Sequence, residues 1–405
     1  MRRIYMDANA TTPLLPEVLE AMRPFFLEQF GNASSIHQPG QHARAAVEDA
    51  RSHVAEMLHC RETEIVFTSG GTESDNLALF GMLKPGDHLI TSRIEHHAVL
   101  HAAEQLQKTG VRVTWLGCDA RSVVSVDSLR AALSIQPAAS VEPPTTLVSI
   151  MMANNETGVI QPIAELAAVA HQAGALFHTD AVQAAGKIPI DVKTLGVDLL
   201  SIAGHKMHAP QGVGVLFVRR GTRLQPLFFG GTHERQRRAG TENVAGIVGL
   251  GKAAEMASAW LQSDGPDQLT ALRNKLEAGI LAQVPEAGIN AAPGVGDLAP
   301  RVPNTTNLWF DHVEGEALVI ALDLKGLAVS GGSACASGAT EPSHVLTAMG
   351  LSDHRARASV RFSLTKLTTQ AEVDAVLEIV PTAVARLRTL SPVFHAPQAA
   401  VAATN

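Results

Sequence analysis

A lysine and a cysteine are the two residues of this chain best placed for covalent chemistry. Lys206 lies in the segment Ser201-Ile-Ala-Gly-His-Lys-Met-His-Ala-Pro210, directly before a glycine-rich predicted strand. A lysine held at the end of a buried strand can form a Schiff base with an aldehyde cofactor. Cys335 lies in a stretch of small residues, Val329 to Gly338, where a mobile thiolate could act as a nucleophile. The pair predicts cofactor chemistry that ends on a thiol.

Glycines mark a candidate phosphate site in Ser69-Gly-Gly-Thr-Glu-Ser-Asp75, which follows the predicted strand Glu64 to Thr68. Backbone N–H groups at a strand-to-helix turn bind anions, and Thr72 can add a hydroxyl. No Walker A motif and no Gly-x-Gly-x-x-Gly fingerprint follows a strand, which disfavours a dinucleotide. Taken alone, the segment fits an ordinary glycine-rich turn with a helix cap equally well.

A carboxylate ends another predicted strand, Ala175 to Thr179. Asp180 comes directly after it, at the edge where α/β proteins place ligand contacts. A buried carboxylate there could hold a pyridine nitrogen protonated, and a helix-capping Asp is the alternative. Gln183 would share a face with Asp180 if a helix starts there.

Histidines offer a ring for stacking and a possible metal pair. His96 and His97 follow the predicted strand His88 to Ser92, and either imidazole could stack on a planar cofactor. Because the chain holds 17 histidines, a solvated or capping role is the alternative. His205 and His208 have a spacing compatible with zinc, but the sequence places no further ligand, so we expect no intrinsic metal site.

The composition is typical of a soluble globular protein with room for two domains. Of the 405 residues, 46% are hydrophobic and 18% are charged. The net charge of -7 disfavours a nucleic-acid partner. No apolar run reaches the length of a membrane span, and no secretory signal is recognised. Three widely spaced cysteines form no disulfide framework, so we expect a cytoplasmic protein.

Predicted strands and helices alternate up to about residue 260, which indicates crossover connections and a mostly parallel sheet. The fold class is therefore α/β, with helices on both faces of the sheet and a smaller α+β C-terminal domain. Further strands are predicted at Val111 to Leu116, Thr146 to Met151, Asp198 to Ile202 and Val213 to Val218, and helices at Glu73 to Leu83 and Ile163 to Gln172.

The pattern changes after about residue 260. The elements predicted there are a helix at Asp267 to Gln283, a loop at Val284 to Asn304, a strand at Asn307 to Phe310, a helix at Glu314 to Leu324, a strand at Ser359 to Ser363 and a helix at Thr369 to Leu387. We expect an N-terminal segment at 1–15 that packs with the small domain, a large domain at 16–260, a small domain at 261–390 and a poorly ordered tail at 391–405.

Short motifs in a fixed order along nearly the whole chain are similar to those of one enzyme family. They are Asp7 to Thr12, Gly31 to His37, Thr68 to Asn76, Ser92 to Ala98, Asn154 to Gly158, His178 to Gln183, Gly204 to Lys206, Arg237 to Asn243, Gly332 to Gly338, Glu341 to His344 and Val360 to Ser363. The chain resembles the cysteine desulfurases of the nitrogen-fixation (NifS) type. These belong to the class V aminotransferase family of fold-type I pyridoxal-phosphate enzymes.

The resemblance implies pyridoxal 5′-phosphate as the cofactor. Lys206 would carry the Schiff base, His96 would stack on the ring, and Asp180 would pair with the ring nitrogen. Gln183 and Asn155 would contact the ring side, including the phenolic oxygen.

The phosphate would be held by residues of both subunits of a homodimer. Gly71, Thr72 and His205 would bind it within one chain. Thr241 would reach the phosphate of the neighbouring subunit.

The resemblance also implies a substrate and a product. Arg361 would clamp the carboxylate of L-cysteine through its guanidinium fork, with Asn32 and Asn155 nearby. Cys335 would take the sulfur as a persulfide and leave L-alanine. An iron–sulfur scaffold protein would accept the sulfur, and Cys335 could transiently ligate a cluster shared with it. Nitrogen fixation, general iron–sulfur assembly and thiolation are all possible destinations.

Two departures from the family pattern stand out. Ala203 occupies a position where many relatives have a hydroxyl or thiol, and Asp7-Ala-Asn replaces Asp-Asn-Asn. Neither change is expected to prevent activity. Cys60 and Cys118 have no comparable setting and are expected to be inert thiols.

Other activities are compatible with the same motifs. A selenocysteine lyase or cysteine-sulfinate desulfinase of the same family is the closest rival, but those reactions depend less on a thiol. An ordinary class V aminotransferase needs no cysteine. A non-catalytic protein that only binds a scaffold is disfavoured, because the reactive lysine and cysteine are both present.

Overall fold

The structure is a computed structural model that describes residues 3–134, 146–291, 298–331 and 341–390. Its strands are β1 (Ile4–Tyr5), β2 (Ile65–Thr68), β3 (His88–Ser92), β4 (Arg112–Leu116), β5 (Thr146–Ser149), β6 (Leu176–Asp180), β7 (Leu199–Ala203), β8 (Gly214–Val218), β9 (Ala287–Ile289), β10 (Thr305–Phe310), β11 (Leu327–Ala328) and β12 (Ser359–Ser363).

The helices alternate with these strands. They are α1 (Pro16–Leu27), α2 (Gln38–Met57), α3 (Gly71–Phe80), α4 (His97–Lys108), α5 (Val126–Ser134), α6 (Ile163–Gln172), α7 (Val192–Leu195), α8 (Val244–Leu261), α9 (Gly265–Gln283), α10 (Gly315–Asp323), α11 (His344–Ala348), α12 (Asp353–Arg357) and α13 (Gln370–Leu390).

A seven-stranded sheet forms the centre of the fold, in the order β2-β8-β7-β6-β5-β3-β4. The five strands from β7 to β4 run parallel, while β8 is antiparallel to both of its neighbours. Strands β2, β7 and β8 are buried along their whole length, which explains why their sequences are mostly apolar rather than alternating. The predicted α/β class with a mostly parallel sheet is confirmed.

A second, three-stranded antiparallel sheet has the order β12-β10-β9. The short strand β9 lies inside the segment Val284 to Asn304, which the sequence predicts as a loop, so that prediction is wrong there. The other predicted strands and helices match the observed elements to within a few residues at each end. A strand of three residues gives too little alternation to be recognised from sequence.

The hydrophobic core divides into separate clusters. Two clusters flank the large sheet, one with Phe177 and Phe217 and one with Leu89 and Leu216. The third surrounds the small sheet and contains residues from Leu269 to Val384 together with Met6.

The N-terminal strand joins the smaller part of the molecule. Strand β1 pairs in parallel with β11, and Asp7 forms a bridge to Ser363 on β12. Strands β1 and β11 thus form a separate two-stranded sheet, and the chain after β1 contacts β12 of the small sheet through Asp7. The domain limits at residues 15 and 260 stay a prediction.

Candidate active site

A cavity of about 350 Å³ lies where the carboxyl ends of β6 and β7 meet the start of α3 and the strand β12. It collects nine of the residues predicted from sequence: Gly71, Thr72, His96, Asn155, Asp180, Gln183, His205, Lys206 and Arg361. Residues from six distant segments thus converge in one place, as expected for the carboxyl edge of a parallel sheet.

Lys206 is positioned by the turn that follows β7. The turn Gly204–Lys206 is a single 3₁₀ helix. The Lys206 Nζ atom donates to the backbone carbonyls of Asn9 and Ala10, at 2.6 and 2.7 Å. These contacts place the amine inside the cavity rather than in solvent, where most lysines lie.

Asp180 is the last residue of β6 and is 3% exposed. Its Oδ1 accepts the N–H of Val182 at 2.8 Å. Burial raises the pKa of Asp180 to about 6, and the backbone hydrogen bond and the Lys206 charge oppose that rise. The residues after Asp180 form turns rather than a helix, so the helix-cap alternative is wrong.

Gln183 also lines the cavity, although no helix aligns it with Asp180. Its Nε2 donates to the carbonyl of Asn9 at 3.0 Å. Its Oε1 accepts from the fully buried Lys187 at 2.6 Å. The Gln183 amide is therefore fixed at both ends.

Two histidines of the cavity are neutral. His96 caps α4, because its Nδ1 accepts the N–H of Ala98 at 3.1 Å, and it also lines the cavity. His205 contacts the Thr11 hydroxyl through Nδ1 at 3.1 Å. Burial and the nearby Lys206 charge lower the pKa of each imidazole to about 4. A neutral ring suits stacking on a planar cofactor. The His96 ring could do this in addition to capping α4.

Glycine at position 71 leaves the space for an anion at the start of α3. A Cβ atom built there would lie 2.7 Å from the Cγ2 of Val182. Thr72, which follows it, also lines the cavity. The first N–H groups of a ten-residue helix point toward this end, which favours a phosphate.

Arg361 enters the cavity from β12 and is fully buried. Its Nη1 donates to the carbonyl of Asn155 at 2.9 Å, and its Nη2 donates to Asp7 Oδ1 at 2.8 Å. Arg361 Nε and Asn155 Oδ1 are buried without a hydrogen-bond partner among the described residues. Unpaired buried polar atoms that border a cavity indicate a place for a ligand.

Asn9 was not predicted as a site residue, yet it connects both sheets to the cavity. Its Nδ2 donates to the Asn155 carbonyl at 3.1 Å and to Thr305 Oγ1 at 2.9 Å. Its own carbonyl accepts from Gln183 and Lys206. Only the motif Asp7-Ala-Asn marked it, because these roles depend on contacts distant in sequence.

Around Asp180, which the sequence predicted, lie three titratable side chains that sequence reasoning missed. Asp75, Glu95, His178 and Asp180 are each at most 3% exposed, and we call them the buried floor. Asp75 Oδ1 lies 3.7 Å from His178 Nε2. Asp75 Oδ1 and Glu95 Oε2 have no hydrogen-bond partner among the described residues. Burial raises the pKa of Glu95 to about 8 and lowers that of His178 to about 3.

Three predicted site residues do not line this cavity. Asn32 and Thr241 are exposed, on the loops before α2 and before α8. Cys335 lies outside the described residues. The roles predicted for all three stay predictions.

The loop that carries Thr241 is anchored by a buried ion pair. Glu234 accepts from Arg51 of α2 through both carboxylate oxygens, at 2.9 Å each. The two side chains are 3% and 4% exposed. Ser34 and His233 then join this loop to the one that carries Asn32, with an Oγ to Nε2 distance of 3.1 Å.

Other groups do not compete for the chemistry. Burial raises the pKa of Cys60 to about 12 and that of Cys118 to about 11, so both are thiols at neutral pH.

In the described part of the chain, no group of three or more His, Cys, Asp or Glu side chains is arranged to hold a metal ion. None of the helices described is long and apolar enough to cross a membrane.

The donor set of the cavity fits a phosphorylated pyridine aldehyde. It offers an amine on Lys206, a carboxyl on Asp180, a neutral ring on His96 and an anion cradle at Gly71. Ala203 also lines the cavity and provides no side-chain hydrogen bond, so the phosphate would depend on backbone and neighbouring groups.

Comparisons with known proteins agree with this geometry. Residues 4–376 match the family described as aminotransferase class-V. A cysteine desulfurase of Gluconacetobacter diazotrophicus is 48% identical over 99% of this chain and 98% of its own length. The cysteine desulfurase NifS of Azotobacter vinelandii is 47% identical over 97% of this chain and 95% of its own.

Solved structures show the same likeness. One described as a NifS-like protein superposes with a TM-score of 0.85 at 37% identity, covering 95% of this chain and all of the other. SspA in complex with cysteine gives a TM-score of 0.76 at 35% identity, covering 90% of this chain and 99% of the other. The predicted resemblance is confirmed, and the chain belongs to the aminotransferase class-V family.

Proposed function

We propose that this protein is a pyridoxal 5′-phosphate-dependent cysteine desulfurase. The observation that carries the proposal is the convergence of Lys206, Asp180 and Arg361 in one cavity. An amine, a buried carboxyl and a guanidinium are the groups needed to hold an aldehyde, a ring nitrogen and a substrate carboxylate. The names of the relatives supply the substrate, cysteine.

The cofactor would be held by the residues that line the large-sheet side of the cavity. Lys206 would bind its aldehyde, and Gly71 and Thr72 with His205 would bind its phosphate. Asn155 and Gln183 would contact the ring side, next to the neutral ring of His96. When bound, the cofactor supplies an electron sink that weakens bonds at the α and β carbons of an amino acid.

The substrate would be oriented by Arg361. Asp7 and the Asn155 carbonyl each accept one N–H from a terminal guanidinium nitrogen, so the unpaired Nε and the second N–H groups of Nη1 and Nη2 are left for a carboxylate. The Lys206 amine, once released from the aldehyde, would accept the α proton of the substrate as a positioned general base. The carbonyls of Asn9 and Ala10 would stabilise the resulting ammonium.

The sulfur would be accepted by Cys335. Its thiolate would attack the substrate sulfur, forming the sulfur–sulfur bond of a persulfide as the carbon–sulfur bond breaks, and L-alanine would leave. An iron–sulfur scaffold protein in the cytoplasm would take the sulfur next, and a shared cluster could use Cys335 as a transient ligand. The NifS name of one relative supports this destination.

The active unit would be a homodimer. The two loops that carry Asn32 and Thr241 expose large apolar side chains, among them Phe30, Ile36 and Phe229 at 78%, 91% and 87%. Apolar side chains clustered on linked loops are typical of a protein interface. Pairing through this surface would place Thr241 near the partner's phosphate site.

Two assays on one preparation test the function. The purified protein should be yellow when loaded with pyridoxal phosphate and should release alanine from cysteine in the presence of a reductant. Cys335→Ala should bind cofactor and cysteine but stall before alanine release. Full alanine production by this variant would contradict the persulfide step, and a parent protein without alanine release would contradict the desulfurase assignment.

A further inference from the structure

Asp75 is a second carboxyl in the cavity, and its surroundings differ from those of Asp180. It lies on α3, lines the cavity and is 1% exposed. Asp180 accepts a backbone N–H and is stabilised by the charge of Lys206. Asp75 Oδ1 accepts no hydrogen bond from any described residue. The two carboxyls are therefore unequal competitors for a proton, and Asp75 is the better site for it.

Among the described residues, none that acts on the charge of Asp75 is a cation. His178 on β6 is the nearest imidazole, and its two ring nitrogens already contact the hydroxyls of Ser149 and Ser201, at 2.8 and 3.0 Å. Burial lowers the pKa of His178 to about 3, so this ring is neutral at physiological pH. The Ser201 hydroxyl favours the charged form of Asp75 but does not supply a positive charge.

The remaining neighbours make a charge on Asp75 less favourable still. Glu95 and Asp180 both repel a negative charge at this position. The helix α4, packed against α3, carries His97 at the cavity, and burial lowers the pKa of that imidazole as well. Strands β2, β7 and β8, which also contact α3, have no titratable side chain.

We propose that Asp75 is held as a neutral carboxylic acid, and that its proton confines the negative charge of the buried floor to Asp180. Two carboxylates that share a desolvated site do not both ionise. Asp75 is then a positioning residue that acts through Asp180. The statement that Asp75 acts through Asp180 rests on the proposed function, since a charge confined to Asp180 matters for a cofactor with a ring nitrogen.

The pKa of Asp75 is raised well above its usual range by burial and by the neighbouring carboxyls. A carboxyl of this kind stabilises the folded protein fully at low pH and progressively less as pH rises, because the unfolded chain releases its proton first. Asparagine has the shape of the neutral acid and does not titrate. Asp75→Asn therefore removes the part of the loss of folding stability with rising pH that Asp75 causes.

Thermal unfolding of the cofactor-free protein tests the proton directly. Asp75→Asn should melt at a higher temperature than the parent, by a difference that grows from about pH 5 to about pH 8. A difference that is the same at both pH values would overturn the proposal. This measurement needs no cofactor, so it stands even if the proposed function fails.

Cofactor binding tests the link to Asp180. Asp75→Asn should bind pyridoxal phosphate with a Kd within about threefold of the parent and with the parent absorption spectrum. The matched variant Asp180→Asn should weaken binding and change the spectrum. Equal losses in both variants would mean that Asp75 acts as an anion, which contradicts the proposal. A parent protein that binds no pyridoxal phosphate would sink the proposed function instead.

A third measurement does not require any variant to fold. Parent protein with ¹³C-labelled aspartate carboxyls should show the infrared carbonyl stretch of a protonated aspartate at about pH 8. Ordinary aspartates have lost that band at this pH. Its absence from the parent spectrum would overturn the neutral-acid assignment.

Discussion

The two sides of the cavity satisfy their buried polar groups in opposite ways. On the large-sheet side, the buried floor crowds three carboxyls together, and two of their oxygens lack partners among the described residues. On the small-sheet side, Arg361 pairs with Asp7 and with the Asn155 carbonyl. One side gathers like-charged carboxyls, whereas the other pairs a guanidinium with a carboxylate and leaves only Arg361 Nε and Asn155 Oδ1 without a hydrogen-bond partner among the described residues at this contact.

This difference indicates how each side serves the reaction. The buried floor is built on β6, on α3 and on the turn after β3, which pack together around the large sheet, so its electrostatic strain can be kept for a cofactor that relieves it. The Arg361 side depends on a short N-terminal segment that contacts both sheets through Asn9. Substitutions on the two sides should therefore differ in kind: in the cofactor's electronic behaviour on one, and in substrate affinity on the other.

Removing the amine should have the largest effect. Lys206→Ala should lower alanine production by more than about 10³-fold, because both the aldehyde anchor and the general base are lost. The protein should stay folded, since the Lys206 amine lies at the border of a cavity, where it donates to the carbonyls of Asn9 and Ala10. Circular dichroism and the alanine assay would check this. Turnover at the parent rate would show that the lysine assignment is wrong.

Asp180→Asn should have the next largest effect and acts on the buried floor alone. We expect kcat to fall by about 10²- to 10³-fold, because an amide cannot hold the ring nitrogen protonated. The apparent KM for cysteine should change much less, since Arg361 is untouched. A variant with normal kcat and raised KM would contradict this, because it would mean that Asp180 acts on substrate affinity, the effect expected of the Arg361 side.

Arg361→Lys tests the opposite side. A lysine keeps the charge but loses the bidentate fork, so KM for cysteine should rise by about 10- to 100-fold with a smaller change in kcat. Asp7→Asn is the matched control, since it keeps a hydrogen bond to the guanidinium and should raise KM less. A pure loss of kcat in Arg361→Lys, with KM unchanged, would be the contradicting result.

The smallest effect concerns stability against pH in the cofactor-free protein. Burial raises the pKa of Glu95 to about 8, so its stabilising contribution is present at low pH and is lost as pH rises toward 8. Glu95→Gln should reduce the fall in unfolding free energy between about pH 6.5 and about pH 8, by up to about 1.4 kcal/mol per pH unit. Arg361→Lys should leave that slope unchanged. Parallel slopes for Glu95→Gln and the parent would refute the assignment.

The sequence could predict most of the fold and nine of the residues that line the cavity. Apolar strands and periodic helices are local patterns, and Asp180 ends one such strand while Lys206 lies in the turn after another. Family motifs then added Arg361, which no local pattern distinguishes from a solvated arginine on an edge strand.

Contacts between segments that are distant along the chain could not be predicted from the sequence. Asn9 has no special local pattern, and its importance depends on contacts with Thr305 and Gln183. Asp75 looks like an ordinary polar residue in the first turns of a helix, where an acidic side chain is favoured anyway. Its unusual environment arises only when β6 and the turn after β3 enclose it.

Reductive trapping tests the central claim most directly. The protein loaded with pyridoxal phosphate would be treated with borohydride, digested and analysed by mass spectrometry for the lysine that carries the reduced cofactor. The account predicts the adduct on Lys206. An adduct on the nearby buried Lys187, or no adduct on any lysine, would contradict it.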